Sequence, residues 1–94
     1  MSRSRYKRAI CKDGFSVSIQ AHDGAYCEPR RSGFKAYTSV ELGYPSTPDI
    51  FILPYAEDPD RLTETVYGYV PAAIVRKMLE AHGGLVDGEC PPLA

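Results

Sequence analysis

The fold is decided by the stretch Gly14-Phe15-Ser16-Val17-Ser18-Ile19-Gln20-Ala21. Apolar and polar side chains alternate strictly along it, with Phe15, Val17 and Ile19 on one side and the serines and the glutamine on the other. A period of two residues is typical of a β-strand, because successive side chains of a strand point to opposite faces. The stretch therefore predicts a strand that buries one face in a core and exposes the other.

Further strands are predicted along the chain. Asp23-Gly24 favours a two-residue hairpin turn, which would make Ala25-Tyr26-Cys27 the returning strand. Residues 37–42 alternate again, and residues 66–70 have strand character with a glycine that allows a bulge. Between them, the continuous apolar run Ile50-Phe51-Ile52-Leu53 predicts a central strand that is covered on both faces.

One helix is predicted after Pro71, because proline suits the first helical position and Gly83-Gly84 provides a stop. The apolar residues between these signals form one helical stripe: Ile74, Val75, Met78 and Leu79. One helix covering one face of a small antiparallel sheet of four to five strands predicts an α+β fold. We expect a single domain over residues 1–94, with a flexible basic arm at 1–8 and a loose tail at 85–94.

The composition is that of an ordinary globular domain. The chain has 94 residues, of which 44% are hydrophobic and 24% charged, so a disordered tail, a collagen-like repeat and a coiled coil are excluded. No apolar run approaches the roughly 18 residues of a membrane span. The basic start leads into a polar strand pattern instead of the apolar core of a signal peptide, so we expect a soluble protein of the cytoplasm, with no membrane partner.

The residues that could carry catalysis or bind metal are few and widely spaced. Three cysteines, Cys11, Cys27 and Cys90, fit free thiols in a reducing compartment, although a bridge between Cys11 and Cys27 stays open. His22 lies near Cys27 in sequence, but nearness alone does not build a nucleophile and its base. The spacing of the cysteines and histidines argues against zinc, and there is no phosphate loop or nucleophile elbow. We therefore predict no enzyme, no cofactor and no metal.

The net charge of −1 conceals two opposite halves. Residues 1–35 contain eight basic residues and three acids, a balance of +5, whereas residues 36–94 contain three basic residues and nine acids, a balance of −6. Such an asymmetry either folds the two halves against each other or gives the surface two poles that attract different partners.

Each pole contains a candidate binding site. The candidate partner-binding residues are four acids and two tyrosines beside proline-containing turns, namely Glu57, Asp58, Asp60, Glu64, Tyr55 and Tyr44. These acids could imitate a run of phosphates and occupy a basic groove, or simply form a solvated loop. The alternative, nucleic-acid-binding residues are Arg3, Arg5, Arg30 and Arg31. A pI near 6.1 argues against direct nucleic-acid binding. The seven tyrosines leave a homodimer open.

Two segments resemble short proteins encoded by phages and prophages of proteobacteria. They are Cys11-Lys12-Asp13-Gly14-Phe15-Ser16, running on to Ile19-Gln20-Ala21, and Pro54-Tyr55-Ala56-Glu57-Asp58-Pro59-Asp60, running on to Val66-Tyr67-Gly68-Tyr69-Val70-Pro71. The resemblance implies a phage setting and transfers no functional residues. Phage proteins of this size without catalytic motifs include anti-CRISPR inhibitors. We therefore expect a protein that binds a host CRISPR effector complex in the host cytoplasm and blocks target DNA binding by occluding a surface; the alternative is a small nucleic-acid-associated phage regulator.

Overall fold

The computed structural model describes residues 5–94, which form a five-stranded antiparallel sheet and one α-helix. The strands are β1 (Ala9–Cys11), β2 (Ser16–Gln20), β3 (Ser39–Gly43), β4 (Val66–Pro71) and β5 (Leu85–Asp87), and the helix is α1 (Ala72–Ala81). The spatial order of the strands is β4-β3-β2-β1-β5. This architecture confirms the predicted α+β fold with a small antiparallel sheet and one C-terminal helix. No helix of the described part of the chain is long and apolar enough to cross a membrane.

Strand β2 lies at the centre of the sheet and has the predicted alternation. Phe15, Val17 and Ile19 are buried, whereas Ser16 and Ser18 are partly exposed on the opposite face. Helix α1 covers the apolar face of the sheet with Val75 and Met78, which are fully buried. The opposite face, which we call the open face, keeps its polar residues accessible.

Helix α1 begins and ends close to its predicted signals. Pro71 is the N-cap rather than the first helical residue. Its φ of −60° is already that of a helix, whereas its ψ of 146° is still that of an extended chain. At the other end, Gly83 and Gly84 both have a φ of 90°, and the Gly84 N–H donates to the Leu79 carbonyl. Glycine is suited to this left-handed conformation, which ends the helix.

The predicted hairpin is wrong, because residues 25–27 form no strand. The edge of β2 that they would have occupied is taken by β3, with Ile19 opposite Leu42. The longer β3 pairs with both β2 and β4 and buries Val40 and Leu42, while Ala25 and Cys27 are buried in the same core without forming a strand. Residues 21–38 instead form a long connection between β2 and β3.

The predicted central strand at residues 50–53 is also wrong. This run forms a turn followed by a short 3-10 helix, Leu53–Tyr55. The turn begins where Asp49 Oδ1 accepts the Phe51 N–H at 2.9 Å, and Pro54 cannot donate to a sheet. Only Ile52 is fully buried, whereas the Ile50 side chain is 78% exposed. The apolar run therefore buries Ile52, packs Phe51 against the core and leaves Ile50 and Leu53 on the surface.

The C-terminal segment is not the loose tail that we expected. Leu85–Asp87 form the edge strand β5, which pairs with β1 in an antiparallel manner. Beyond β5, the Glu89 N–H donates to the Lys7 carbonyl and the Ala94 N–H donates to the Tyr37 carbonyl. At the other end of the chain, the Tyr6 N–H donates to Gln20 Oε1 at 3.0 Å, and residues 1–4 of the predicted arm lie outside the described residues.

Candidate partner-binding surface

The predicted acidic residues lie on one loop, residues 57–64, which we call the acidic loop. Glu57, Asp60 and Glu64 are exposed and Asp58 is half-buried. The loop contains four acids and one base, Arg61, so its charge is −4 + 1 = −3. Arg61 and Glu64 form an ion pair at 3.3 Å in which both side chains are more than two-thirds exposed. Such an exposed pair is screened by solvent, and the negative field of the loop stays directed outward.

Hydrogen bonds order both halves of the acidic loop. The Glu57 N–H donates to the Val66 carbonyl at 3.0 Å, and the Asp58 N–H donates to Thr65 Oγ1 at 3.2 Å. In the second half, the hydroxyl of the fully buried Tyr67 donates to the Leu62 carbonyl at 2.6 Å. A loop held in this way loses little conformational entropy when it binds a partner.

The two predicted tyrosines border the acidic loop in different ways. The Tyr44 N–H donates to the Thr65 carbonyl at 3.0 Å, so Tyr44 lies beside the end of the loop, and its side chain is 53% exposed. Tyr55 is half-buried in the 3-10 helix that leads into the loop. The structure therefore brings the six predicted partner-binding residues to one region around the start of β4. Leu53, in the same 3-10 helix as Tyr55, and Ile50, three residues earlier in the chain, are also exposed, although their apolar run predicted burial.

Of the four alternative basic residues, the structure describes Arg5, Arg30 and Arg31. Arg3 lies outside the described residues. Arg5 lines a depression on the open face, together with Gln20, His22 and Glu41. Its volume is about 250 Å³. Arg30 lies over the ring of Tyr26, and Arg31 is exposed. Among the described arginines, Arg5 lies near Glu41, which also accepts the N–H of Tyr26, the ring under Arg30.

A second aromatic group, which the sequence analysis did not identify as a unit, lies at the β4 edge of the open face. The rings of Tyr26 and Tyr69 stack with centroids 5.8 Å apart, and the Arg30 guanidinium lies 5.8 Å from the centroid of Tyr26. We call Tyr26, Tyr69 and Arg30 the tyrosine stack. Gly68 makes it possible, because a Cβ at this position would lie 3.3 Å from the Tyr26 Cβ. The predicted bulge is also present, because the pairing of β3 with β4 shifts register between Val40 and Leu42.

His82 forms a third group, which joins three separate segments. Its Nδ1 lies 2.7 Å from Asp13 Oδ2 and its Nε2 lies 2.7 Å from Asp49 Oδ2. The imidazole also stacks on Phe15 with centroids 3.9 Å apart and an interplanar angle of 7°. Two carboxylates on the two ring nitrogens favour the imidazolium, in which both nitrogens donate. We call His82, Asp13 and Asp49 the histidine clamp.

The protonation of the histidine clamp follows from these contacts. Burial alone would lower the pKa of His82, but the hydrogen bonds to Asp13 and Asp49 outweigh it and raise that pKa above its ordinary value. The Phe15 N–H and then the His82 ring lower the pKa of Asp13. His82 lies at the C-terminal end of α1, where a cation is favoured, but the two carboxylates come from distant loops and left no sequence signal.

The nucleophile and base considered from the sequence are not assembled. Cys27 Sγ donates to the backbone carbonyl of His22 at 3.3 Å, and the His22 ring accepts the Gly24 N–H through Nδ1. All three cysteines are free, and burial raises the pKa of each thiol, to about 11 for Cys90. Within residues 5–94, no three His, Cys, Asp or Glu side chains are grouped to hold a metal ion.

Comparisons with known proteins found no match. No protein-family model, curated protein or solved structure matches the chain.

Proposed function

We propose that this protein is a non-enzymatic inhibitor whose acidic loop docks in a basic, nucleic-acid-binding groove of a host protein complex. The observation that carries this proposal is the acidic loop itself, which directs a charge of −3 outward from an ordered backbone. Complementary fields of this kind steer association and fix the register of the bound partner.

The resemblance to phage proteins directs the proposal to a CRISPR effector complex in the host cytoplasm. Such effectors hold guide and target nucleic acid in positively charged channels. A competitor for this channel should present acids, and the acidic loop does so while the arginines lie elsewhere. Binding there blocks target DNA by occlusion and requires no catalytic group.

The surroundings of the acidic loop supply an apolar anchor for the same contact. Tyr44 and Leu53 are exposed beside the loop, and Ile50 is almost free of intramolecular packing. Interfaces commonly combine an apolar or aromatic centre with a charged rim. We therefore place the rim at the four carboxylates and the anchor at Ile50, Leu53 and Tyr44.

The test is an interference assay in cells that have an active CRISPR system and express this protein. Phage plaquing is scored for the parent and for a loop variant with four changes, Glu57→Gln, Asp58→Asn, Asp60→Asn and Glu64→Gln. We expect the parent to restore plaquing and the loop variant to lose that effect. The variant should fold, because Asn at position 58 keeps the Oδ1 that accepts the Asp60 N–H.

The matched control neutralises the other pole with Arg30→Gln and Arg31→Gln, and should inhibit like the parent. If the control loses inhibition while the loop variant retains it, the binding pole has been assigned the wrong way round. If the folded parent leaves interference unimpaired and retrieves no CRISPR component from host lysate, the CRISPR target is rejected.

A further inference from the structure

Two exposed tyrosines have a backbone conformation that disfavours them. Tyr69 and Tyr44 have φ values of 51° and 52°, in the left-handed region. A bulky residue there is strained by about 1–2 kcal/mol, and glycine would avoid the strain. Buried contacts do not explain the tyrosine at position 69, since its side chain is 44% exposed. Strained residues of this kind often mark contact sites.

The surroundings of Tyr69 have the composition of an interface centre. The tyrosine stack presents two tyrosines and one arginine, residue types that dominate binding energy at protein interfaces. The backbone holds the stack firmly, because the Tyr69 N–H donates to the Tyr26 carbonyl at 3.0 Å. The stack is therefore preorganised before any partner arrives.

The charges around the stack are balanced. Arg30 lies over the Tyr26 ring, and a Glu41 carboxylate oxygen accepts the Tyr26 N–H at 3.4 Å. Arg30 and Glu41 thus contact Tyr26 with opposite charges. The exposed Glu28 and Arg31, in the same loop as Arg30, add one charge of each sign. A nucleic acid or a strongly charged protein requires an excess of one sign, whereas a balanced patch is complementary to a copy of itself.

We propose that the tyrosine stack is a self-association surface on which a second copy of this chain docks around a two-fold axis. In such an interface the same patch is used twice, so the basic side chains of one copy meet the acidic side chains of the other. The two tyrosine pairs form the centre. This proposal concerns a different surface from the acidic loop and does not depend on the proposed function.

The test is sedimentation velocity across a concentration series that reaches about 1 mM, the range of weak association. We expect a reversible monomer–dimer equilibrium for the parent. Tyr69→Gly should raise the dissociation constant at least about tenfold, as expected for an interface hot spot. Its thermal midpoint should stay close to that of the parent, because relief of the backbone strain offsets the lost stacking on Tyr26. Tyr69→Phe should dimerise like the parent.

Tyr44→Gly is the matched control, because it relieves the same strain outside the stack and should leave the dimer unchanged. A charge exchange provides the second test. Arg30→Glu should weaken the dimer, and adding Glu28→Arg should restore it. A parent that remains monomeric throughout the series overturns the proposal, as does a Tyr69→Gly variant that is folded and dimerises unchanged. A monomeric Tyr69→Gly variant that still inhibits interference would leave the proposed function intact.

Discussion

At the scale of single residues, His82 joins three separate segments of the chain. Its ring joins the loop before β2 to the loop before the 3-10 helix, immediately after the end of α1. Asp49 is the buried member, with a side chain that is 5% exposed, so its carboxylate depends on the imidazolium for compensation. The clamp therefore couples the stability of the fold to pH.

The sign of this coupling follows from the two pKa shifts. The folded pKa of His82 is raised above its ordinary value of 6.5, so its stabilisation is complete below that value and is lost as pH rises through the folded pKa. The folded pKa of Asp13 is lowered from 3.8, so its stabilisation is present above that value and is lost as pH falls through the folded pKa. We expect the free energy of unfolding to be greatest between these limits.

Replacing His82→Gln should lower the free energy of unfolding by about 3 kcal/mol near pH 6, because the buried Asp49 carboxylate loses its cation. It should also remove the decline of stability as pH rises above 6.5. Urea unfolding at a series of pH values measures both effects. His22→Gln is the control and should keep the decline. A His82→Gln profile parallel to that of the parent would show that the clamp does not titrate.

At the scale of elements, β5 shows how a strand forms without a strand-like sequence. All three of its residues are exposed, so no alternation of apolar and polar side chains reveals it. Its position depends on the backbone of β1 and on Gly88, which has a φ of 80°. A Cβ on Gly88 would lie 1.9 Å from the Arg8 carbonyl oxygen, so only glycine fits without a shift of the backbone.

Replacing Gly88→Ala should therefore detach β5 or lower the free energy of unfolding by about 2–3 kcal/mol. Gly84→Ala is the matched control, because Gly84 has a similar φ of 90° but nothing within 4 Å of its Cβ position. In the control, the free energy of unfolding should fall only by the strain of the left-handed conformation, about 1 kcal/mol. Thermal unfolding and amide exchange of β1 distinguish the two variants. If both variants lose the same free energy of unfolding, close packing on Arg8 does not hold β5.

At the scale of the whole molecule, the acidic loop precedes β4, whereas the tyrosine stack includes Tyr69 within that strand. The loop has an excess of negative charge and the stack has balanced charges. The negative excess of residues 36–94 thus lies partly on the acidic loop, whereas Arg8 and Arg30 of the first half make contacts within the fold. Arg8, for example, donates to the carbonyl oxygens of Ser16 and Tyr44.

Inhibition by the acidic loop should depend on ionic strength through the association rate. Salt screens exposed charges over about 10 Å at 0.1 M, so added salt should slow binding of the parent to the purified effector. The loop variant with four neutral side chains should associate more slowly at low salt and respond less to added salt. Surface plasmon resonance measures both rates. An association rate for the parent that does not change with salt would contradict electrostatic steering by the loop.

Local sequence patterns determined the elements whose geometry depends only on residues close in sequence. The alternation at residues 15–21 predicted β2, and the proline, apolar stripe and glycines predicted α1, because strand faces and helix ends are set within a few residues. The run of acids also identified the acidic loop. These features require no knowledge of what lies across the fold.

Tertiary structure decided everything that depends on partners distant in sequence. Competition between segments gave the edge of β2 to β3 instead of residues 25–27, and it left Ile50 on the surface while Ile52 entered the core. The histidine clamp unites Asp13, Asp49 and His82, and the tyrosine stack unites Tyr26 with Tyr69. The physical reason is that all segments of the chain compete for the same core and the same strand edges. A segment forms a strand only where a free edge and an uncovered apolar face remain.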